Sequence, residues 1–548
     1  MRPTKQQFDE ARELHAGRVE AYRRGEIQDG EFRPIRLSYG LYYQLDHTSY
    51  MQRIKVPGGA MTADQMDALA AVFDDYGRGI THVTTRADVQ IHWVPIDKVS
   101  EMYARLEAVG ITTRGACADS VRNVTACPFA GVSPDEPFDV TPYVQAIHDG
   151  FLFNPLNLTL PRKFKIGVEG CPLDCAQAAI NDIGLYAVAR GSERGFSVWA
   201  GGGLGAAPSL AVKVADFVPA EDVLIWCEAI VRVHHRAGER KNRHKARLKF
   251  VVKKLGVEAF RSTVLAEVAK VESERGADLR SDVREAVDAH RVPPPISTPR
   301  RAPARPGFEA WMRTNASAQK DPGHVAVTVT LPLGDIDSDQ FRAIARLARE
   351  HGNGTVRATN EQNLVLPWVP RASLEALHSA LVDLALAEGG ASLLTDVVAC
   401  PGLDYCSLAV TRSMGVGERI RTHLAEARVD AASLGPFHVK ISGCPNSCGQ
   451  HHIGDVGLTG MMVKSEDGRD LPHYSILVGG AVGEGRSRVG KRIAGRFAED
   501  DAPRVVAAVA ALYGRGRQSD ERFAEFVERV GADELDAVAR AVVVGEIR

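Results

Sequence analysis

Cysteine is scarce in this chain of 548 residues, which contains only nine. Long apolar runs are missing as well, since no stretch approaches the roughly 18 residues that a membrane-spanning helix needs. The first residues are charged and helix-like, without the apolar core of a signal peptide. We therefore expect a cytoplasmic protein whose cysteines bind metal or carry out redox chemistry rather than form disulfides.

An excess of charge of either sign is also missing. Lys and Arg number 67 and Asp and Glu 69, for a formal net charge of -2, which argues against binding of nucleic acid over the whole surface. Hydrophobic residues make up 45% and charged residues 25%, which is typical of a soluble globular protein. At this length we expect roughly two to four domains.

The sequence contains an internal duplication. Segments 57–95 and 332–370 align without a gap, with 12 of 39 positions identical. A second pair of blocks, 169–185 and 442–458, aligns almost in the same register. Chance seldom gives such agreement twice, so the chain is predicted to consist of two copies of one unit joined at a proline-rich stretch.

The first repeated block has the pattern of a strand, a helix and a second strand. Thr62 with Gln65, and Asp337 with Gln340 in the second copy, match the capping box that begins a helix. Apolar residues at helical spacing follow, then a glycine and an alternating strand. The residues predicted to face the core are Met66, Leu69, Val72 and Phe73. We expect the two β-α-β units to share one sheet.

Four cysteines of the second copy lie in two close pairs. Cys400 and Cys406 are six positions apart, and Cys444 and Cys448 are four apart. Four thiolates are the usual ligand set of a cubane iron–sulfur cluster. Close cysteine pairs serve a structural zinc ion equally well, so the spacing leaves both metals open.

The first copy retains three of these positions, Cys127, Cys171 and Cys175, but has Ser133 at the fourth. Because one ligand is missing, we expect no second iron–sulfur cluster in this half. The sequence assigns no role to these three cysteines or to the nearby Cys117.

Basic residues show the opposite asymmetry. Four cations of the first copy are Arg53, Arg122, Lys163 and Lys165. Their counterparts in the second copy are Thr328, Thr395, Pro436 and His438. A single Arg or Lys is more often a solvated charge than a ligand, but four that vanish together indicate one anion site. Lys163 and Lys165 alternate on a predicted strand and so share a face. A thiolate-bound metal centre beside this site suits the reduction of a small oxyanion.

Together these motifs resemble the sulfite and nitrite reductases that use sirohaem and a [4Fe–4S] cluster. The resemblance rests on Cys-x5-Cys followed by Cys-x3-Cys in "GCPNSCG", and on "RNV", "LPRKFK" and "NRHKARLKFVVKKLGVE" in family order. It covers nearly the whole chain and favours a cluster over zinc. It implies that the cluster ligands are Cys400, Cys406, Cys444 and Cys448, and that Cys448 also binds the sirohaem iron.

The resemblance and the repeat together imply an α+β fold with internal duplication. Two ferredoxin-like half-domains would pair into one domain, with two larger α/β domains that bind the sirohaem and cluster around a pseudo-twofold axis. The predicted segments are an N-terminal extension (1–48), a first half-domain (49–110), a first sirohaem and substrate domain (111–291), a linker (292–308), a second half-domain (309–385) and an iron–sulfur cluster and sirohaem domain (386–548).

The resemblance also implies an anion site in which Arg53, Arg122, Lys163 and Lys165 surround the substrate oxygens. Sulfite is a dianion near neutral pH and sirohaem carries eight carboxylates, so both need neutralising cations. Lysines of lowered pKa would supply protons, and arginine would orient the anion. Further sirohaem contacts are expected from Thr84, Arg86, Gln90, Arg243, Arg247 and Asn446.

Three functions fit the sequence. The first is a six-electron reduction of sulfite to sulfide, and the second is reduction of nitrite to ammonium on the same architecture. Lys165 favours sulfite, because nitrite-reducing relatives commonly resemble the pattern with asparagine at this position. The third is a non-enzymatic protein that binds metal, and nucleic acid through the segment 231–254.

The segment 231–254 carries ten Lys or Arg residues. It fits a solvated helical face, a sirohaem anchor through Arg243 and Arg247, or, more remotely, a nucleic-acid surface. No flavin or nicotinamide domain is recognisable, so we expect electrons to arrive from a separate ferredoxin or flavoprotein.

Overall fold

The computed structural model describes residues 3–296 and 298–543. The outermost residues of the predicted first and last segments, and residue 297 of the predicted linker, lie outside this range. In the described part of the chain, no helix combines the length and the apolar composition needed to cross a bilayer.

The first copy begins with two helices and a half-domain. Its elements are α1 (Lys5–Arg23), α2 (Asp29–Ser38), β1 (Leu41–Tyr43), β2 (Tyr50–Ile54), β3 (Ala60–Thr62), α3 (Ala63–Tyr76), β4 (Ile80–Val83), β5 (Val89–Val94) and α4 (Val99–Ala108). The first strand, β1, pairs with β2, so this sheet begins before position 49.

A larger domain follows in the first copy. Its elements are β6 (Thr125–Ala126), α5 (Thr141–Leu152), β7 (Ile166–Glu169), β8 (Ile183–Arg190), β9 (Glu193–Ala200), β10 (Val212–Pro219), α6 (Val223–Ala237), α7 (Leu248–Leu255) and α8 (Val257–Ala289).

The second copy repeats this order. Its half-domain contains α9 (Phe308–Asn315), β11 (Ala316–Ala318), β12 (His324–Val329), β13 (Asp335–Asp337), α10 (Ser338–His351), β14 (Thr355–Ala358), β15 (Leu364–Pro370) and α11 (Leu374–Asp383). Its larger domain contains β16 (Val398–Ala399), α12 (Ser413–Glu426), α13 (Ala431–Leu434), β17 (Val439–Ser442), β18 (Val456–Lys464), β19 (Asp470–Val478), β20 (Lys491–Ala498), α14 (Ala502–Gly516), α15 (Phe523–Val530) and α16 (Ala532–Val543).

Both predicted capping boxes are present. The Thr62 hydroxyl accepts a hydrogen bond from the Gln65 N–H at the start of α3, and the Asp337 carboxylate accepts one from the Gln340 N–H at the start of α10. The predicted apolar face of α3 is buried, as expected from its helical spacing. Local sequence therefore positions both helices.

The prediction of one shared sheet is wrong. The half-domains form two five-stranded sheets, ordered β1-β2-β5-β4-β13 and β11-β12-β15-β14-β3. Each sheet therefore receives one short strand from the other copy, because β13 pairs with β4 and β3 pairs with β14. Each exchanged strand leads directly into its helix, and α3 packs on α10 with the rings of Phe73 and Phe341 at a centroid distance of 5.3 Å. One hydrophobic core spans both half-domains, so they form one domain.

The two larger domains share one topology. In each, three parallel strands are followed by two antiparallel ones, in the orders β6-β7-β8-β9-β10 and β16-β17-β18-β19-β20. Each domain has its own hydrophobic core. The duplicated α+β architecture is therefore confirmed.

Candidate active site

The four cysteines of the second copy lie on two loops beside the parallel strands β16 and β17. Cys400 directly follows β16, with Cys406 in the same loop, and Cys444 and Cys448 follow β17. Because the carboxyl ends of parallel strands meet at one edge of a sheet, the two loops come together there. The Cys400 Sγ accepts a hydrogen bond from the Gly443 N–H at 3.3 Å, which links one loop to the other.

The environment of these thiols differs from one to the next. Cys400 and Cys444 are buried, Cys406 is half-buried and Cys448 is exposed. Burial, followed by negative charge on Cys448, raises the pKa of Cys400 to about 12. Burial and the same charge also raise the pKa of Cys406 and of Cys444. A bound metal cation would reverse these shifts, because it stabilises the thiolate form.

The first half-domain contacts the cysteine loop directly. The Thr85 hydroxyl, in the turn after β4, donates a hydrogen bond to the carbonyl of Cys448 at 2.7 Å. The Gln450 amide donates in return to the carbonyl of Thr85 at 3.1 Å. Neither residue was predicted from the sequence, although both lie inside the repeated blocks, which could have indicated a role at the site.

Arg53, Thr84 and Gln90 lie around one buried carboxylate, that of Asp88. Arg53 forms an ion pair with Asp88 at 2.9 Å, and the Thr84 hydroxyl donates to the same oxygen at 2.6 Å. Gln90 lies directly opposite Arg53 on the neighbouring strand, and with its amide oxygen turned toward Arg53 it accepts at 3.0 and 2.8 Å. Burial opposes the charge on Arg53, but the charge of Asp88, added to that of other anionic groups nearby, raises the pKa of Arg53.

Arg86 connects the first half-domain to the first larger domain. Its guanidinium donates to the Asn181 side chain and to the Asn123 carbonyl, each at 2.6 Å. Burial lowers the pKa of Arg86 to about 10, and the charges of Asp88 and Asp182 oppose this shift. The contacts with Asn123 and Asn181 were not identified from the sequence, because both residues are far from Arg86 along the chain.

Lys163 and Lys165 precede β7 rather than lying within it. The regular strand begins only at Ile166, so the predicted strand placement is wrong. The predicted alternation holds, because Phe164 between them is fully buried and forms an isolated bridge with Val121, while both lysines are half-buried. The bridge ends there because the next backbone N–H, that of Lys165, donates to the Asp182 carboxylate at 2.8 Å.

The same bridge places Arg122 beside the two lysines, since Arg122 directly follows Val121. Its guanidinium is held by the carbonyls of Ala116 and Ala118 at 3.1 and 2.8 Å. Burial, together with the charge of Arg122, lowers the pKa of Lys163 to about 8, and negative charge on Cys448 opposes this shift. Burial and neighbouring cations also lower the pKa of Lys165 well below its usual value, again opposed by negative charge on Cys448. Both lysines are therefore within electrostatic reach of Cys448.

The basic segment 231–254 is largely paired within the fold. Arg247 is buried and forms a two-point ion pair with Asp182 at 3.0 and 2.7 Å. Arg243 is exposed and pairs with Asp119 at 3.0 and 3.1 Å. Sirohaem contacts by these two residues, and by the exposed Asn446, stay predictions.

The positive charge near Cys448 and the buried donors without hydrogen-bond partners are suited to binding sirohaem. An exposed thiol, Cys448, lies within electrostatic range of Lys163 and Lys165, which suits a soft metal surrounded by carboxylates. The buried Nε atoms of Arg53, Arg86 and Arg122 have no hydrogen-bond partner among the described residues. Buried donors are nearly always satisfied in native proteins, so these three are suited to an anionic group.

Comparison with known proteins agrees with this geometry. The family model described as the nitrite and sulphite reductase 4Fe-4S domain matches residues 117–272 and 390–543. The model of the nitrite/sulfite reductase ferredoxin-like half domain matches residues 42–109 and 317–384.

Full-length relatives point the same way. The chain is 30% identical to a chloroplastic ferredoxin–nitrite reductase of Oryza sativa subsp. japonica, over 89% of this chain and 80% of that protein. It is also 30% identical to sulfite reductase (ferredoxin) 1 of Mycolicibacterium paratuberculosis, over 89% and 83% of the two chains. The solved structure of the Mycobacterium tuberculosis NirA protein superposes with a TM-score of 0.79 at 26% identity, covering 96% of this chain and 97% of that one. The chain therefore belongs to the nitrite and sulphite reductase family, whose cofactors are sirohaem and a [4Fe–4S] cluster.

Proposed function

We propose that this oxidoreductase reduces sulfite to sulfide. The observation that carries the proposal is that Lys163 and Lys165, with Arg122 next to them, lie within electrostatic range of Cys448. Sulfite is a dianion near neutral pH and nitrite a monoanion, so a site with two lysines and an arginine stabilises sulfite more strongly. The proposed catalytic residues are Arg53, Arg122, Lys163 and Lys165.

The proposed roles follow from the chemistry of each side chain. When bound, the cluster and the sirohaem would pass electrons from the donor protein to the substrate. Arg53 and Arg122 orient the substrate oxygens, because a guanidinium stays charged and presents several donors in one plane. Asp88 fixes the orientation of Arg53 through their ion pair.

The lysines serve as proton donors in this proposal. Sulfite loses its oxygens as water, so protons must reach each of them within hydrogen-bond distance. Burial brings the pKa of Lys163 to about 8, and a donor whose pKa is near the working pH transfers a proton more readily than an ordinary lysine. Burial and neighbouring cations lower the pKa of Lys165 as well, and this lysine completes the pair.

The proposed cofactor contacts extend the predictions made from the sequence. Cys400, Cys406, Cys444 and Cys448 would bind the cluster, and Cys448 would also ligate the sirohaem iron. The Gly443 N–H that donates to the Cys400 Sγ supports a thiolate at this position. Carboxylates of the sirohaem would engage Arg86 together with Arg53 and Arg122, whose Nε atoms have no partner within the part of the chain that the structure describes.

We infer that a ferredoxin delivers the electrons, because both types of relative compared above carry ferredoxin in their names. A flavoprotein is the other expected donor. Turnover with each reduced donor, measured at equal concentration, distinguishes the two.

Nitrite is the second candidate substrate, because relatives named for nitrite and for sulfite are equally similar to this chain. The test is to measure kcat/KM for sulfite and for nitrite with a dye as the electron donor, on one preparation whose haem content is known from its absorption spectrum. We expect the larger value for sulfite. A larger value for nitrite at full haem content would overturn the assignment.

A further inference from the structure

The three cysteines that the first copy retains lie together in the fold. Cys127 directly follows β6, and Cys171 and Cys175 lie in the loop after the neighbouring parallel strand β7. Their Sγ atoms all lie within 4.8 Å of one another. Across residues 3–296 and 298–543, no other group of three or more Cys, His, Asp or Glu side chains is this compact.

The spacing of these sulfur atoms discriminates between two kinds of metal centre. A single tetrahedral zinc ion with Zn–S bonds of about 2.3 Å holds its thiolates about 3.8 Å apart. In a cubane cluster each thiolate binds a different iron, so the sulfur atoms are spread around a much larger object. The first-copy cysteines are compact enough for one ion. The four cysteines of the second copy do not form such a compact group, which agrees with the larger cluster.

The loop that carries two of the thiols is held in place from within. The buried Glu169 carboxylate accepts the Ala176 N–H at 2.6 Å and the Cys171 N–H at 3.2 Å, and lies 3.6 Å from the Cys171 Sγ. At the corresponding position of the second copy, the Ser442 hydroxyl accepts the Gly449 N–H at 3.1 Å. The first copy therefore keeps the metal-binding conformation of this loop, although it achieves it with a different side chain.

The chemistry of the site fits zinc. Thiolates are soft ligands that prefer zinc or iron–sulfur centres to hard cations. Cys127 and Cys171 are buried and Cys175 is half-buried, so a solvent molecule can reach a fourth position beside Cys175. Ser133 replaces the fourth cysteine, and its hydroxyl accepts a hydrogen bond from the Asp135 N–H at 3.4 Å.

We propose that Cys127, Cys171 and Cys175 bind one zinc ion, with water as the fourth ligand, at a structural site separate from the iron–sulfur cluster. Binding deprotonates the three thiols and releases their protons to solvent. No electron is transferred, since zinc has no redox chemistry in proteins.

The position of the loop indicates what the ion stabilises. The Asn360 amide of the second half-domain donates to the Ala176 carbonyl at 3.0 Å, and the Gln177 amide donates to Glu361 at 3.1 Å. The Glu484 N–H of the second larger domain donates to the Pro172 carbonyl at 3.2 Å. The loop thus joins the first copy to both domains of the second, and zinc would hold this junction together.

The test uses the holoenzyme, purified without chelators from cells grown with added zinc. We expect about one zinc per chain by elemental analysis, and X-ray absorption at the zinc edge should show three sulfur ligands at about 2.3 Å. Cys171→Ser and Cys175→Ser should each lower the zinc content at least fivefold and leave the iron content unchanged. Cys227→Ser is the matched control, because Cys227 is a buried thiol in α6 of the same domain and lies outside the trio; it should retain zinc.

Several outcomes would overturn the proposal. One is wild-type protein without zinc, or with zinc that stays in both variants. Another is a loss of iron in the variants, which would indicate a second cluster. A third is a disulfide between two of the three cysteines in the untreated protein, detected by mass spectrometry. Should the variants fail to fold, X-ray absorption of the wild-type protein at the zinc edge still tests the proposal, because it reports the ligands of the zinc ion directly.

Discussion

At the scale of single residues, the site concentrates positive charge that the chain does not neutralise. Burial and neighbouring cations lower the pKa of both lysines; Arg122 is the foremost of these cations for Lys163, and Arg86 for Lys165. Such an arrangement is unfavourable by itself. It becomes favourable when anions bind, which is the behaviour expected of a site for an anionic cofactor and an anionic substrate.

Substrate choice is tested by Lys165→Asn. Losing one charge-assisted contact to a buried anion costs about 1.5–3 kcal/mol, so kcat/KM for sulfite should fall roughly 10- to 150-fold. Nitrite carries one charge fewer and should lose less, so the ratio of the sulfite to the nitrite constant should drop about tenfold. Steady-state kinetics with both substrates and the haem absorbance of the same preparation check this.

Lys213→Asn is the control for Lys165→Asn, because Lys213 lies on β10 of the same domain and pairs with Asp216 at 3.2 Å near the surface. In Lys213→Asn, the ratio of kcat/KM for sulfite to kcat/KM for nitrite should match that of the wild type. An unchanged ratio in Lys165→Asn at full haem content would contradict the role in selectivity. A parallel loss of both activities and of haem would instead assign Lys165 to cofactor binding.

At the scale of elements, the capping boxes begin the helices at the point where the copies exchange strands. Thr62 is both the last residue of β3 and the N-cap of α3, and Asp337 has the same two roles for β13 and α10. The hydrogen bond that begins each helix therefore also fixes where the exchanged strand ends. In each copy, a single residue thus ends the strand that pairs with the other copy and begins the helix that follows.

This dual role predicts the effect of Thr62→Ala. Removal of an N-cap hydroxyl costs about 1 kcal/mol of stability, and the pairing of β3 with β14 should loosen as well. We expect a lower midpoint of urea unfolding, and faster amide exchange in both β3 and β14, measured by mass spectrometry. Thr263→Ala is the control, since Thr263 is exposed on α8 and its hydroxyl only donates to the Ala259 carbonyl one turn before it. Faster exchange in α3 alone would contradict the coupling between the copies.

At the scale of the whole molecule, the duplicated halves depend on each other. They share one hydrophobic core and two sheets that each need a strand from the other copy. A half on its own would expose apolar surface and an unpaired strand edge, both of which favour aggregation.

We therefore expect a chain divided in the proline-rich segment near residue 300 to yield fragments that are insoluble when expressed singly and that purify together when co-expressed. Co-purification on a tag carried by one fragment measures this. A division inside α10 is the control and should abolish assembly, because it cuts a helix of the shared core. A monomeric, folded N-terminal fragment would contradict the mutual dependence.

Acid sensitivity is a second property of the whole molecule. Burial lowers the pKa of His15 and His92 to about 3 and that of His234 to about 4. The unfolded chain binds protons at these histidines below about pH 6.5 while the folded chain does not, so stability is lost as pH falls. Each such histidine should cost about 1.4 kcal/mol at pH 5.5.

His15→Phe tests this in one place, because His15 packs against the rings of Tyr39 and Tyr103 and its nitrogens have no hydrogen-bond partner among the described residues. Between pH 7.5 and pH 5.5 the urea midpoint of the variant should fall less than that of the wild type. An equal fall of the urea midpoint in both proteins would show that His15 does not contribute to the loss of stability at low pH.

Much of this protein follows from its sequence alone. The capping boxes and the apolar face of α3 are local patterns, and they were correctly inferred because helix signals act over a few residues. The duplication was correctly inferred because whole segments repeat along the chain. The family followed from motifs that also lie within short segments.

Only the tertiary structure decided how the two copies meet. The exchange of β3 and β13 depends on pairing between residues that lie 253–257 positions apart for β13 with β4 and 293–297 apart for β3 with β14. No local signal encodes such a partner. For the same reason the contacts of Thr85 with the Cys448 carbonyl and of Arg247 with Asp182 were not foreseen. The sequence shows the cysteines at positions 127, 171 and 175 but not that their thiols form a compact group. Whether they can bind one metal ion depends on the distances between their sulfur atoms. These distances are set by how adjacent parallel strands place their loops at one edge of a sheet.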